Sequence, residues 1–544
     1  MSTITVGEAI ARTLEAYSVS AVYGVISIHN LPIADALGRR DRIRFVPARG
    51  EAGAVTMADA HTRVGSLGVA LTSTGAGAGN AVGALLEAMN ASTPMIHITG
   101  QVEKAYLDRD AGFIHEARDQ MGFLRASSKQ AYRVCTPEQA VPLLHKAIQE
   151  ATTAPCGPVS IEIPIDIQAA KIKWQETAPI SAMPLPSLAD KQLTELVTAI
   201  KSARRPVLWV GGGALNSGAA IRRLADLGVA VLSSTHGRGI LPDSHPRSLR
   251  AFHNAESVQA LLGHCDLMLV AGSRLRSNET LTYSMDLPRP LLQIDINPGA
   301  NQRNYAIDGF FCGDCDNALT RLADALEGNW KADSTFDADI GSAVQSAEEA
   351  LRIQVGAYAS LSDAVHKALP ADGLFVRDIT VSGSTWGARL LPAERPLGNI
   401  HSLAGAIGMG LAMGIGCAIA QPDRKVVTLV GDGGLALGLG EIATLAQEQA
   451  DMVLLIMNDG GYGVMRGIQT KYFEGRQYFN ELHTPDFGKI AEAMQLPYWK
   501  ASHADEFSGI MAEAVNNPGP AIVEVDMHSV GELKFSGPPQ KTLY

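Results

Sequence analysis

Residues 425–464 read KVVTLVGDGGLALGLGEIATLAQEQADMVLLIMNDGGYGV. A β-branched run from Val426 to Val430 stops at Gly431-Asp432-Gly433-Gly434, a helical pattern follows, and a second apolar run from Met452 to Met457 stops at Asn458-Asp459-Gly460-Gly461. This pattern predicts two parallel strands joined by a crossover helix. Both strand ends of such a unit open on one crevice, so Asp432 and Asp459 are expected to approach each other. Two carboxylates with nearby main-chain carbonyls form a hard oxygen site suited to magnesium, which keeps open positions for phosphate oxygens. Gly433 and Gly434 let main-chain N–H groups and the helix start come close to a diphosphate.

The arrangement resembles the thiamine-diphosphate motif, a Gly-Asp-Gly followed after about two dozen residues by a pair of Asn. Here the closing pair is Asn458-Asp459, which keeps an oxygen donor and adds charge. The resemblance implies Asp432, Asp459 and the Gly461 carbonyl as metal ligands, with Tyr462 and Met465 of the same loop at the cofactor. The segment Val46-Pro47-Ala48-Arg49-Gly50-Glu51-Ala52-Gly53-Ala54 is similar to the family segment whose glutamate meets the aminopyrimidine ring, which makes Glu51 the expected catalytic acid/base. By itself, a glutamate before a helix is also an ordinary complement to the helix dipole. The run Ser402 to Leu411, SLAGAIGMGL, resembles the segment that bends the cofactor. It implies Ile407 beneath the two rings and the Gly405 carbonyl as an acceptor. Ser382, Gly383 and Ser384 fall near the second diphosphate-contacting loop, and such residues also form plain helix caps.

The chain has 544 residues, 46% hydrophobic and 19% charged, with a net charge of −11. The length suggests about three domains, and the charge argues against nucleic acid or acidic membrane surfaces as partners. No apolar run reaches membrane-spanning length, and the N-terminus reads as a capped amphipathic helix, so a cytoplasmic protein is expected. Six cysteines in so long a chain do not make a disulfide framework, and Cys312-Gly313-Asp314-Cys315 has no second pair or His cluster beside it.

Strand and helix patterns alternate in three regions, 1–178, 189–330 and 346–544, with a Pro- and Ser-containing linker at 178–188 and a charged helical linker near 331–355. The expected fold is α/β, with three doubly wound parallel-sheet domains. By resemblance these are a pyrimidine-binding, a central and a diphosphate-binding domain, and Glu51 meets Asp432 across a subunit interface. A homodimer is then the minimum assembly, and a homotetramer is usual among relatives. In the central region Gly211-Gly212-Gly213, Gly272-Ser273-Arg274 and Ile294-Asp295-Ile296-Asn297-Pro298 resemble the FAD-carrying domain of acetolactate synthases. The stretch Arg247-Ser248-Leu249-Arg250-Ala251-Phe252 lacks their glycine-rich pattern, so an unliganded central domain is expected in preference to FAD.

The reaction depends on the substrate pocket. Pyruvate decarboxylases carry a glutamate where this chain has Met465, and a His-His pair that occurs nowhere here. The first domain resembles acetolactate synthases in Thr99-Gly100-Gln101-Val102 and in Asp110-Ala111-Gly112-Phe113-Ile114-His115-Glu116. His115 is a candidate catalytic residue because an imidazole can donate and accept protons at neutral pH, with a plain surface histidine as the alternative. His29, in Ile26-Ser27-Ile28-His29, is the other candidate. Acetolactate synthases have Pro-Gly-Gly at 26–28, and their selectivity tryptophan is replaced by Ile468. Benzoylformate decarboxylases resemble Gly79-Asn80-Ala81-Val82-Gly83-Ala84-Leu85, but their catalytic histidine is Thr72 here. These features imply non-oxidative 2-oxo acid decarboxylation with carboligation on a small carbonyl substrate. Release of an aldehyde, or cleavage of a 2-hydroxyacyl compound or dione, is the alternative.

Overall fold

The computed structural model describes residues 2–533; the last residues of the third region lie outside that range. Three wholly parallel sheets account for the architecture. The first has six strands between Ala21 and Pro164, which in order of appearance lie 2-1-3-4-6-5 across the sheet. The third, between Leu374 and Asp526, has the same order, and the middle sheet of five strands between Pro206 and Cys312 runs 2-1-3-4-5. All three are α/β units with the strand order reversing beside the first strand, where ligands of open α/β sheets bind. The strands Val426–Gly431 and Met452–Asn458 are almost wholly buried, as expected of parallel strands covered on both faces.

Local differences from the sequence expectations have visible causes. The crossover after Val426–Gly431 is two short helices, Asp432–Leu437 and Glu441–Glu448, because Gly438 and Gly440 interrupt the helical run. The N-terminal helix Val6–Ala16 is preceded by a strand, Thr3–Thr5, which pairs antiparallel with Lys171–Lys173; Thr5 caps the helix by accepting from Glu8 N at 3.2 Å. The charged stretch near 331–355 is largely the helix Phe336–Val355. Its Phe336, Ile340, Ala343, Ala347, Leu351 and Val355 are buried at three- and four-residue spacing and join the core shared by the second and third sheets. No helix among the described residues is long and apolar enough to cross a membrane.

The first and third units are welded through helices. Glu51–Val64 lies along Gly410–Ala420, and Gly416 permits the contact, since any Cβ there would run into the Met57 main chain. Ala54, Ala58, Ala60, Ala412 and Ala418 contribute small side chains to this contact, and the two units share one core cluster.

Candidate functional site

Asp432 follows the strand Val426–Gly431 and is fully buried, while Asp459 follows the neighbouring strand Met452–Asn458. The parallel register, Gly431 opposite Met457, sets the two turns side by side. Asp459 N donates to Asp432 Oδ1 at 3.1 Å, whereas Asp432 Oδ2 is buried with no protein partner. Burial pushes the Asp432 carboxyl up to about 7; the Asp459 N–H opposes this and the Asp459 charge adds to it. The third oxygen is nearby, because a Cβ on Gly433 would stand 2.7 Å from the Gly461 carbonyl oxygen and 2.8 Å from the Tyr462 ring. Among the described residues no group of three His, Cys, Asp or Glu side chains converges, so the local donors are two carboxylates and a main-chain carbonyl. An orphaned buried carboxylate oxygen beside a second carboxylate is the chemistry a divalent cation satisfies, and this donor set fits magnesium.

Arg466 is a feature that the sequence pattern alone did not single out. Its Nη2 contacts Asp459 Oδ2 and the Asp459 carbonyl oxygen, each at 2.7 Å. The extra negative charge that Asp459 brings relative to Asn therefore has a cation beside it. Tyr462 is half-buried, and Met465 is exposed on the helix Gly463–Tyr472, which has no buried residue. A cavity of about 930 Å³ lies against this helix, lined in part by Asp459, Arg466, Thr470 and His528.

The segment 402–410 passes beside the same strand ends. Gly405 and Gly408 take φ of 84° and 81°, in the left-handed region, so the chain bends at both and presents Ile407, which is 39% exposed. Gly408 N donates to Asp378 Oδ2 at 2.9 Å, and a Cβ on Gly434 would stand 3.1 Å from that oxygen. Ser382, Gly383 and Ser384 form most of the short helix Val381–Ser384, capped by Thr380 Oγ1, which accepts from Gly383 N at 3.0 Å. Ser382 Oγ is buried and unpartnered, and Gly383 O accepts from Arg377 Nη1 at 3.1 Å.

Glu51 opens the helix Glu51–Val64, and its Oε2 accepts from Asn80 Nδ2 at 3.2 Å. In this chain the turn just before Glu51 is held by the third unit: Glu441 Oε1 accepts from Arg49 N at 3.0 Å and Gly50 N at 3.1 Å. His29 and His115 come together, with ring centroids 5.2 Å apart in an edge-to-face arrangement. His29 is buried, its Nδ1 has no partner, and burial followed by the neighbouring His115 lowers its pKa. His115 is exposed, at φ 64°, beside Gly75. Gly75 leads to Gly77, where a Cβ would meet Glu51 Oε1 at 2.7 Å, so the His pair and Glu51 sit around one loop of the first unit. Ile26, Ile28 and Ile114, next to the two histidines in sequence, are exposed. Thr72, in the position noted above, hydrogen-bonds His97 Nε2 at 2.9 Å inside the sheet.

The central unit places its glycines against one another: Gly213 N donates to Gly272 O at 2.9 Å, and the His236 ring lies over Gly212. All six cysteines are free; Cys315 is buried at the start of the helix Cys315–Leu326.

Comparison with known proteins covers the same three units. Family models match for the thiamine pyrophosphate enzyme N-terminal TPP binding domain at residues 4–123, the central domain at 193–322, and the C-terminal TPP binding domain at 380–525. Among curated proteins, the acetolactate synthase isozyme 1 large subunit of Escherichia coli is 28% identical over 98% of this chain and 96% of its own length. A probable 2-ketoarginine decarboxylase of Pseudomonas aeruginosa is 29% identical over 85% of this chain and 84% of its own. A probable acetolactate synthase large subunit of Methanocaldococcus jannaschii is 26% identical over 95% and 91%. With all three domain models matched in order on three α/β units, this chain is an enzyme that belongs to the thiamine pyrophosphate family.

Proposed function

We propose that this enzyme uses thiamine diphosphate and magnesium to decarboxylate a 2-oxo acid without oxidation and to couple the product to a second carbonyl compound. The observation that carries the reading is the buried Asp432 carboxylate, with one oxygen unpartnered, set beside Asp459 and the Gly461 carbonyl at the ends of two parallel strands. Likeness to acetolactate synthases over nearly the whole chain supports the coupling step.

In this reading Asp432, Asp459 and the Gly461 carbonyl hold the metal. Ser382, Gly383, Ser384, Gly433, Gly434, Tyr462 and Met465 line the diphosphate side, and Gly405 and Ile407 lie at the rings. When bound, the cofactor supplies a carbon nucleophile and an electron sink for the loss of CO2. Glu51 holds a proton at the aminopyrimidine side. The Asn80 side chain, which donates to its Oε2, keeps that carboxylate oriented. His29, kept neutral by burial, is the group that accepts a proton from the substrate side, with the exposed His115 ring edge-on to it. Ile26, Ile28 and Ile114 offer exposed apolar surface beside the two histidines; once covered by substrate or a partner copy, that surface would make a poorly hydrated pocket that favours loss of a charged carboxylate as neutral CO2.

The active form is at least a homodimer, and a homotetramer is the expected assembly. Supporting this are a site helix, Gly463–Tyr472, without a buried residue, and Phe479 near it, 97% exposed. The central domain is proposed to work without FAD, since residues 247–252 lack the glycine-rich pattern of the flavin binders and the His236 ring packs on Gly212. The cytoplasm is the proposed location. The decarboxylase among the relatives favours a second reading, release of the aldehyde without coupling.

A panel of 2-oxo acids, with and without aldehyde or 2-oxo acid acceptors, tests the proposal when CO2 and coupled products are scored together. A hydroxyketone or acetohydroxy acid supports carboligation, and CO2 with free aldehyde supports the second reading. Unconsumed acids in a cofactor-loaded enzyme refute both and point to cleavage of a hydroxyacyl compound or dione.

A further inference from the structure

The bend 405–408 packs on Leu437 and Gly434 at Gly408 but is open at its other end. A Cβ on Gly405 would meet nothing within 4 Å, and Ile407 is partly exposed. Its position is set from its two ends, and each end is gripped by a buried carboxylate from a different unit. On the far side Asp378 accepts from Gly408 N at 2.9 Å and Gly410 N at 3.3 Å. On the near side Glu87, from the helix Val82–Ala91 of the first unit, accepts at Oε1 from Leu403 N at 2.6 Å and at Oε2 from Ala404 N and Ser402 Oγ, both at 2.8 Å. Glu87 is 1% exposed.

Glu87 is itself fixed by the helix that carries Glu51. Arg63 Nη2 contacts Glu87 Oε1 at 2.9 Å and Asp59 Oδ2 at 2.5 Å, while Arg63 Nη1 donates to the His401 carbonyl at 2.8 Å. A buried ion pair serving stability alone needs only Arg63 and its two carboxylates, yet both Glu87 oxygens are also committed to three successive residues leading into the bend.

We propose that Glu87 is a positioning residue for the cofactor: through Ser402, Leu403 and Ala404 it fixes where Gly405 and Ile407 meet the thiamine rings. The inference rests on the thiamine diphosphate reading above. It makes the helix Glu51–Val64 bifunctional, presenting Glu51 at its first turn and locking the bend of its own chain through Asp59 and Arg63 near its last.

Glu87→Gln in the full-length, metal-loaded enzyme tests this. The amide keeps the shape of the carboxylate but cannot accept from all three groups and leaves Arg63 short of a charge. Far-ultraviolet circular dichroism should remain native, thiamine diphosphate should bind roughly tenfold more weakly by calorimetry, and the near-ultraviolet dichroism of the bound cofactor should change. At saturating cofactor kcat should fall while KM for the 2-oxo acid holds. Should Glu87→Gln fail to fold, Ser402→Ala leaves the ion pairs intact and should weaken cofactor binding about threefold, with the same spectral change. A folded variant with wild-type affinity and spectrum overturns the role of Glu87 and leaves the function reading standing. A wild-type enzyme that binds no thiamine diphosphate overturns both.

Discussion

The main-chain N–H of Asp459 donates to Asp432 Oδ1 at 3.1 Å, so the first acidic turn is oriented by the second before any ion arrives. This bond uses one oxygen of Asp432 and leaves the other buried without a partner. Gly433 makes the geometry possible. Gly433→Ala would drive a methyl group into the Gly461 carbonyl and the Tyr462 ring. The expected outcome is a folded protein whose magnesium affinity, read by calorimetry in the presence of thiamine diphosphate, is at least about tenfold weaker.

Glu51→Gln should retain cofactor binding and lose turnover by about two to four orders of magnitude, the range for removing a general acid/base. Single-turnover and steady-state rates on the same preparation check it; wild-type turnover would contradict the assigned role.

The histidine pair predicts a pH signature. Burial and the neighbouring His115 both hold the His29 pKa below its ordinary value. His115→Ala removes the second cause, so the acidic limb of the kcat profile should move to higher pH, with kcat at neutral pH lowered by about tenfold to a hundredfold. An unmoved limb would place His29 outside the reaction.

How much of this was legible in the sequence varies by element. Two apolar runs, one ending in Gly-Asp and one in Asn-Asp, announced the parallel strands, because buried strands and strand-end turns leave local composition marks. The break at Gly438–Gly440 was not read, since isolated glycines inside a helical pattern are often tolerated. His29 and His115 were each visible as candidates, but their contact arises from loops after different strands, and periodicity carries no information about it. Glu87 left a faint signal as a charge among buried Leu85 and Ala88, while its partners in the bend, more than 300 residues away, left none. Arg466 escaped notice because an arginine on a polar helix face is ordinarily solvated.

Buried neutral histidines in the first unit should set its acid stability. Burial lowers His61 to about 4 and His97 to about 3. Below the ordinary value of 6.5 the unfolded chain takes up protons that the folded chain refuses. The stability contribution is therefore complete above 6.5 and declines as pH falls from 6.5 toward 4, by up to roughly 1.4 kcal/mol per pH unit for each histidine. Melting temperatures at pH 7, 6 and 5 should fall, and His61→Gln should flatten the decline even though it loses the Tyr23 hydrogen bond.

The most direct measurement is calorimetric titration of thiamine diphosphate into chelator-treated enzyme, with and without magnesium, for the wild type and Asp432→Ala. The account predicts saturable binding to the wild type only when magnesium is present, and none to Asp432→Ala under either condition. Binding that ignores the metal, or persists in Asp432→Ala, would contradict the site at the two strand ends.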